Sequence, residues 1–262
     1  MAMFPANLVR LHEGEEAIRE ESIRRIRADE TLSAHADMIE RALDLINYLI
    51  HAAEPADDDD LNVRLLGIRL FNGLNSGVKL LLSGYYQTAT MQLRDVIETT
   101  FLLDYFASDR ALITEWRTAE DKDRRKRFQP AVVRKALDAR DRFTGKKRDA
   151  AYDRFCQLAA HPNPGGFVML KIERSSELAH CGPFLEDGAL SAVTSEAALS
   201  AAQAAGVFRL LISARTLPDL QAKFGFMEME AAWLQQFFGA EPNQAGLDEM
   251  RELLKRAAAA TP

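Results

Sequence analysis

Apolar residues in this chain recur every three or four positions through stretch after stretch, a period that commits most of it to amphipathic helices. From Thr31 to Ala53, Met38, Ala42, Leu45, Ile46 and Leu49 share one side, while Glu40, Arg41 and Asp44 take the other. Leu61 to Gly84 is apolar around most of its circumference and so belongs inside a bundle. Gly73 and Gly77, four apart on it, predict a close helix crossing, because small residues let backbones approach. Tyr85 to Ala107 supplies a second central helix, with Leu93, Val96, Ile97, Phe101, Leu102 and Phe106 as its core. Ahead of these, Glu13 to Arg27 is dense in Glu and Arg at spacings of three and four and reads as a charged outer helix.

The breaks are as informative as the runs. Glu54 to Asp60 contains Pro55 and four consecutive aspartates, acid placed where the next helical N-terminus favours it. It lacks the alternating ligands and glycine turn of a calcium loop. A short helix is expected around Trp116, then a break at Pro130, a helix over Ala131 to Phe143, and another from Lys146 to about Ala160. His-Pro-Asn-Pro-Gly-Gly at His161 to Gly166 cannot continue a helix. Beyond it, Phe167 to Glu173 and Glu177 to Phe184 are expected to pair as a small β-hairpin, turning at Ser175-Ser176. Leu190 to Leu217 reads as an Ala-rich helix ending before Pro218, followed by helices over Leu220 to Phe238 and Leu247 to Ala258. The expected architecture is an all-α bundle with a hairpin insertion near 167–184, organised as a charged helical extension, 1–30, and one helical domain, 31–262.

With 262 residues, 47% of them hydrophobic, the chain can bury a core without a disulfide or a structural metal. Only Cys156 and Cys181 are present, which reads as two free thiols in a reducing compartment. No secretory leader is evident over Met1 to Arg10, and no window approaches the roughly 18 uninterrupted apolar residues of a membrane span. The expectation is a cytoplasmic protein without a membrane partner. The net charge of −6 hides an asymmetry, since Arg117 to Arg154 carries 14 Lys plus Arg against 7 Asp plus Glu. That excess could neutralise phosphates, but the interspersed aspartates favour a solvated, internally paired helical face.

Four constellations could carry chemistry. Arg94 and Glu98, four apart on an otherwise mostly apolar helix, are expected to form a partly buried pair. Their roles are either structural register or anion binding through the arginine. Arg154 and His161 are nearly two turns apart, about 10 Å along the axis if the helix lasts that far. Arg offers a fixed charge with forked donors and His a proton exchangeable near neutrality, a combination suited to phosphodiester chemistry. The bland alternative is that His161 simply terminates its helix. Cys156, His161, His180 and Cys181 are zinc-type ligands, but His180 and Cys181 are adjacent and no Cys-x-x-Cys supports them, so no metal site is expected. The basic stretch is the fourth. Phosphate-binding loops, dinucleotide fingerprints, nucleophile elbows and His-Glu-x-x-His are all missing, and no cofactor is expected.

Arg94-Asp-Val-Ile-Glu98 on one central helix, with Arg154-x6-His161 leading into a His-Pro turn, resembles bacterial helical proteins related to the HEPN superfamily. The resemblance covers Leu61 to Pro164. It implies an RNA-binding protein whose catalytic form would be a metal-independent ribonuclease, usually composite across a homodimer. The matching residues are Arg154, stabilising phosphate charge, and His161, as general acid or base. Active members carry a small polar residue after the arginine, where this chain has Phe155. Two other readings stay open: a non-enzymatic module that binds a protein partner or its own copy, and a small-molecule sensor with Arg94 beside an apolar cavity, meeting a carboxylate or phosphate.

Overall fold

The computed structural model describes residues 5–145, 147–160, 162, 164–172 and 179–260. Eleven α-helices account for most of them: α1 (Ala6–Ala28), α2 (Glu30–His51), α3 (Asp58–Leu82), α4 (Tyr86–Ser108), α5 (Ala111–Thr118), α6 (Asp121–Arg127), α7 (Pro130–Arg140), α8 (Lys147–Phe155), α9 (Asp187–Leu211), α10 (Leu217–Phe238) and α11 (Gln244–Ala260). Alpha-helix α8 runs directly into a π-helical turn, Cys156–Ala160, and a 3-10 helix follows at Pro164–Leu170.

Local chemistry sets the helix boundaries. The Asp29 carboxylate accepts from the Leu32 amide at the start of α2, and Asp57 accepts from the Asp60 amide at the start of α3. Glu186 opens α9 by accepting from the amides of Gly188 and Ala189. Thr216 and Asp219 form a reciprocal capping box on α10, and Gly239, at φ 62°, closes it in the left-handed conformation. The break expected at Pro130 is present, with Pro130 as the first residue of α7, whereas Pro218, expected to follow a helix end, stands early in α10. A helix's first turn has no use for the amide hydrogen that proline lacks. The Ala-rich helix therefore ends at Leu211, well before Pro218.

The chain packs into two units. Unit 1 comprises the residues up to Ala36 with Asn72–Glu98 and Asp138–Ser200; unit 2 comprises Asp37–Phe71, Thr99–Leu137 and the residues from Ala201 on. Helices α2, α3, α4, α7 and α9 contribute residues to both. In unit 1 the core includes Leu74, Leu81, Tyr86, Leu93, Phe155 and Val193. The Tyr86 ring meets Phe184 edge-on at 5.4 Å. A Cβ on Gly73 would stand 2.9 Å from Val96, so α3 and α4 cross there as closely as the sequence suggested. At Gly77 the spacing is ordinary van der Waals contact. In unit 2 the core includes Met38, Ile46, Leu49, Leu70, Phe106 and Phe208, with Ala201, Ala202, Ala204 and Ala205 of α9 fully buried.

No strand occurs among the described residues, and the hairpin expected near 167–184 is not formed. Phe167, Val168 and Leu170 lie in the 3-10 helix, and residues 173–178, which include the expected turn at Ser175-Ser176, lie outside the described set. A lone two-stranded ribbon is marginal in water, and Val168 and Met169 turn into a cavity wall instead, while Phe167 stays exposed. The Gly165-Gly166 step permits it: a Cβ on Gly166 would stand 2.7 Å from the Leu158 carbonyl oxygen, an approach only glycine allows.

Candidate functional site

In unit 1, α4 and α8 bring three polar side chains together. The Arg94 guanidinium donates to Glu98 at 2.9 Å and, through Nε, to the Tyr152 hydroxyl at 3.1 Å; its Nη2 also reaches that hydroxyl. Tyr152 in turn donates to Glu98 Oε1 at 2.5 Å. The guanidinium carbon sits 5.0 Å from the centroid of the Tyr152 ring, within cation–π range. Burial, then the bond to Glu98, pushes the Tyr152 hydroxyl up to about 12, so it stays a neutral donor. Burial pulls the Arg94 pKa down, but the Tyr152 hydrogen bond and the Glu98 charge outweigh it and the net shift is upward. Cys156, the first residue of the π turn, also bonds the Tyr152 hydroxyl, and the Nε and Nη2 donors of Arg94 are taken up by Glu98 and Tyr152.

One turn earlier on α4 stands Thr90, and it borders a cavity of about 350 Å³ lying wholly within unit 1. The π turn and the 3-10 helix make this space. A π turn carries an extra residue per turn and shifts the backbone outward, and such turns are frequent at functional sites. Gln87 locks the two segments together, its amide nitrogen donating to the carbonyls of Leu158 at 3.2 Å and Gly166 at 3.1 Å. The walls are apolar, formed by Phe155, Leu158, Val168, Met169 and Val193. Four charged side chains also line the cavity: Arg154, Lys171, Glu186 and Glu196.

Those four charges are not equivalent. Both carboxylate oxygens of Glu186 already accept amides of α9, at 2.8 and 2.5 Å. Glu196 faces Arg154 at 3.7 Å, beyond good hydrogen-bonding range. Burial raises the Glu196 pKa, with the Arg154 charge opposing the shift. The Arg154 side chain keeps 69% of its surface exposed. Thr90 donates to the Tyr86 carbonyl at 2.8 Å and offers the cavity little.

The sequence-derived candidates therefore fall in different places. Arg94 and Glu98 pair as their spacing suggests, but with Tyr152 as a third member that the sequence did not flag. Arg154 borders the cavity, and its cross-chain neighbour is Glu196. His161 lies outside the described residues, so its convergence with Arg154 has no geometry to report. Much of the basic stretch is paired within the chain: Arg124 with Asp121, Arg127 with Glu115, and Arg148 with Asp138 at 2.9 Å and with Asp141. The guanidinium of Arg140, with that of Arg148, holds the Asp141 carboxyl down near about 2. Among the described residues no three His, Cys, Asp or Glu side chains converge as metal donors, and no helix is long and apolar enough to cross a membrane. The His180 ring packs on Phe184 at 5.8 Å, and Cys181 is exposed. Set against known protein families, characterised proteins and solved structures, the chain matches none of them, so any functional reading stands on its own residues.

Proposed function

We propose that this is a small-molecule-binding helical protein of the sensor type, with the unit 1 cavity as its ligand site. The observation that carries the reading is the cavity itself: about 350 Å³ with apolar walls and four charged groups around it, pinned open by the Gln87 bonds. Ligand pockets run roughly 300–1,000 Å³ and combine a mostly apolar lining with a few placed polar groups. The arginine that meets a ligand is Arg154, because Arg94 is engaged by Glu98 and Tyr152. A thermal-shift screen of full-length protein against a small-molecule panel tests this, with Ala192→Trp as the control. Ala192 is exposed and lines the cavity, so the indole obstructs entry without disturbing the core. A ligand at about a hundredfold its Kd adds roughly 2.7 kcal/mol of stability. Hits that stabilise the wild type and not the variant support the site; hits that stabilise both equally, or none at all, refute it.

A second reading keeps the HEPN-like resemblance and takes RNA as the ligand. It is favoured by the exposed guanidinium of Arg154, whose ion-pair partner among the described residues is a carboxylate at 3.7 Å. Incubating a mixed RNA pool with protein in EDTA, beside Arg154→Ala and His161→Ala variants of matched stability, decides it. Cleavage lost in both variants establishes a metal-independent ribonuclease; no cleavage and no binding by the wild type removes RNA.

A further inference from the structure

We infer that the ligand of the unit 1 cavity is an amphipathic anion, with an apolar body against Phe155, Leu158 and Val193 and a carboxylate or phosphate-type head held by Arg154 and Lys171. This deepens the small-molecule reading and rests on it.

The body follows from the walls. Phe155 and Val193 are buried core residues whose inner faces border the cavity, and a ligand covering them gains about 25 cal/mol for each Å² of apolar surface withdrawn from water. A polar body would lose its hydration and find few partners, since the one wall hydroxyl, Thr90, already donates to a backbone carbonyl.

The head follows from counting which charges are still available. Glu186 is committed to the first turn of α9, where its two oxygens satisfy amides that would otherwise be orphaned. Among the described residues that leaves Arg154 and Lys171 as the cations with donors to spare, facing Glu196, while the Glu186 charge is offset by the positive end of α9 that it caps. Burial raises the Glu196 pKa, and the Arg154 charge opposes that shift. Its hold on Arg154 is loose at 3.7 Å, and the guanidinium is largely hydrated. An incoming carboxylate or phosphate can take the guanidinium in forked geometry and improve on the contact it replaces. A cationic amphiphile meets two cations that repel it, and of the two carboxylates Glu186 is already committed to the amides of α9.

Four ten-carbon probes, each below its aggregation limit, separate the possibilities by titration calorimetry on the full chain: decanoate, decyl phosphate, 1-decanol and decyltrimethylammonium. Decanoate and decyl phosphate are expected to bind, decanol about tenfold or more weaker, and the ammonium weakest; one charge-assisted hydrogen bond is worth about that factor or more. Arg154→Gln and Lys171→Gln should each weaken decanoate by about tenfold and leave decanol unchanged. Arg154 is mostly solvent-exposed and Lys171 only partly buried, and equal melting temperatures confirm that both variants fold. If the ammonium binds as tightly as decanoate, or the double variant Arg154→Gln/Lys171→Gln binds decanoate undiminished, the anionic head is wrong while the cavity reading survives. If all four probes fail to bind the wild type, the cavity reading fails with it.

Discussion

Units 1 and 2 are made of similar helices but place some of their charged groups differently. In unit 2 such groups close helix ends. Arg64, with 5% of its side chain exposed, donates to the Leu49 carbonyl at 3.0 Å and the Ile50 carbonyl at 2.7 Å, satisfying the last turn of α2, and pairs with Asp60 at 3.2 Å. Asp219 accepts from the Tyr48 hydroxyl at 2.8 Å and from the amides of Arg215 and Thr216, and Lys223 donates to the Ile212 carbonyl. In unit 1 Glu186 likewise caps a helix, but Arg154, Lys171 and Glu196 border the cavity. A polar group that completes a backbone is a fixed structural part, whereas one at the edge of a cavity is free to meet something else.

The largest effect that tests this contrast is expected from Arg64→Met. The variant keeps an apolar stem but leaves two helix-end carbonyls without this donor and the buried Asp60 with only the Ala56 amide and Arg215 at 3.7 Å, and breaking such a pair costs about 3–5 kcal/mol. Trp116 and Trp233, the chain's two tryptophans, both belong to unit 2, so urea unfolding followed by their fluorescence reads the unit concerned. A loss under about 1 kcal/mol, the range of a solvated surface pair, would show that these bonds do not hold unit 2 together.

Glu230 is the exception that sharpens the contrast. Burial pushes its carboxyl up to about 7 against the pull of the Arg209 charge, and it lies against Gly206, where a Cβ would stand 2.7 Å from its Oε1. The folded chain keeps this proton up to about pH 7, while the unfolded chain releases it near 4.5. Between those values the folded state binds more protons, so its contribution is complete below about 4.5 and is lost as pH rises through 7. Glu230→Gln should remove that slope, on the order of 2–3 kcal/mol. Parallel stability-against-pH curves for variant and wild type between pH 5 and 7.5 would refute the assignment.

Packing gives the next comparison. A methyl added at Gly67 in unit 2 would meet the ring of Phe208, including one atom at 2.6 Å, and that ring is fully buried. Gly67→Ala should therefore cost about 1–3 kcal/mol. Ala189→Leu places three carbons in the unit 1 cavity and should stay within about 0.5 kcal/mol of the wild type or gain stability. Circular dichroism melts of both variants decide the matter, and equal losses would mean that the cavity is not real space.

What the sequence could and could not convey follows from the range of each interaction. Helices were legible because their period is local, and so was the Arg94–Glu98 pair, whose partners lie one turn apart. Gly73 was legible because a glycine on an apolar helix has few meanings. Proline was misread because it stops one helix and starts the next with equal ease, and Pro218 does the second. The run around Phe167 was misread because β-branched and aromatic residues favour a pleat only when a sheet exists to receive them. Tyr152, 58 residues from Arg94, and Glu196, facing Arg154 across unit 1, reach their partners only through tertiary packing. The lone tyrosine in the charged helix α8 was the one available sign of the former. A cavity leaves no sign in sequence, since it is defined by atoms that are missing.

The smallest expected effect is Tyr152→Phe, and it bears on whether the unit 1 triad is structure or site. Removing the hydroxyl leaves the Arg94–Glu98 bond at 2.9 Å intact and the ring still under the guanidinium. It deprives Glu98 of one donor and Arg94 of one acceptor. Both charged side chains retain access to water, at 23% and 29% exposure, so replacement hydration limits the loss to about 0.5–1.5 kcal/mol. A structural triad shows that loss in a chemical melt and no change in decanoate affinity, because the cavity's cations are Arg154 and Lys171. If affinity falls tenfold while stability holds, Arg94 is reached by the ligand after all, and the anion site extends one turn along α4 from Thr90.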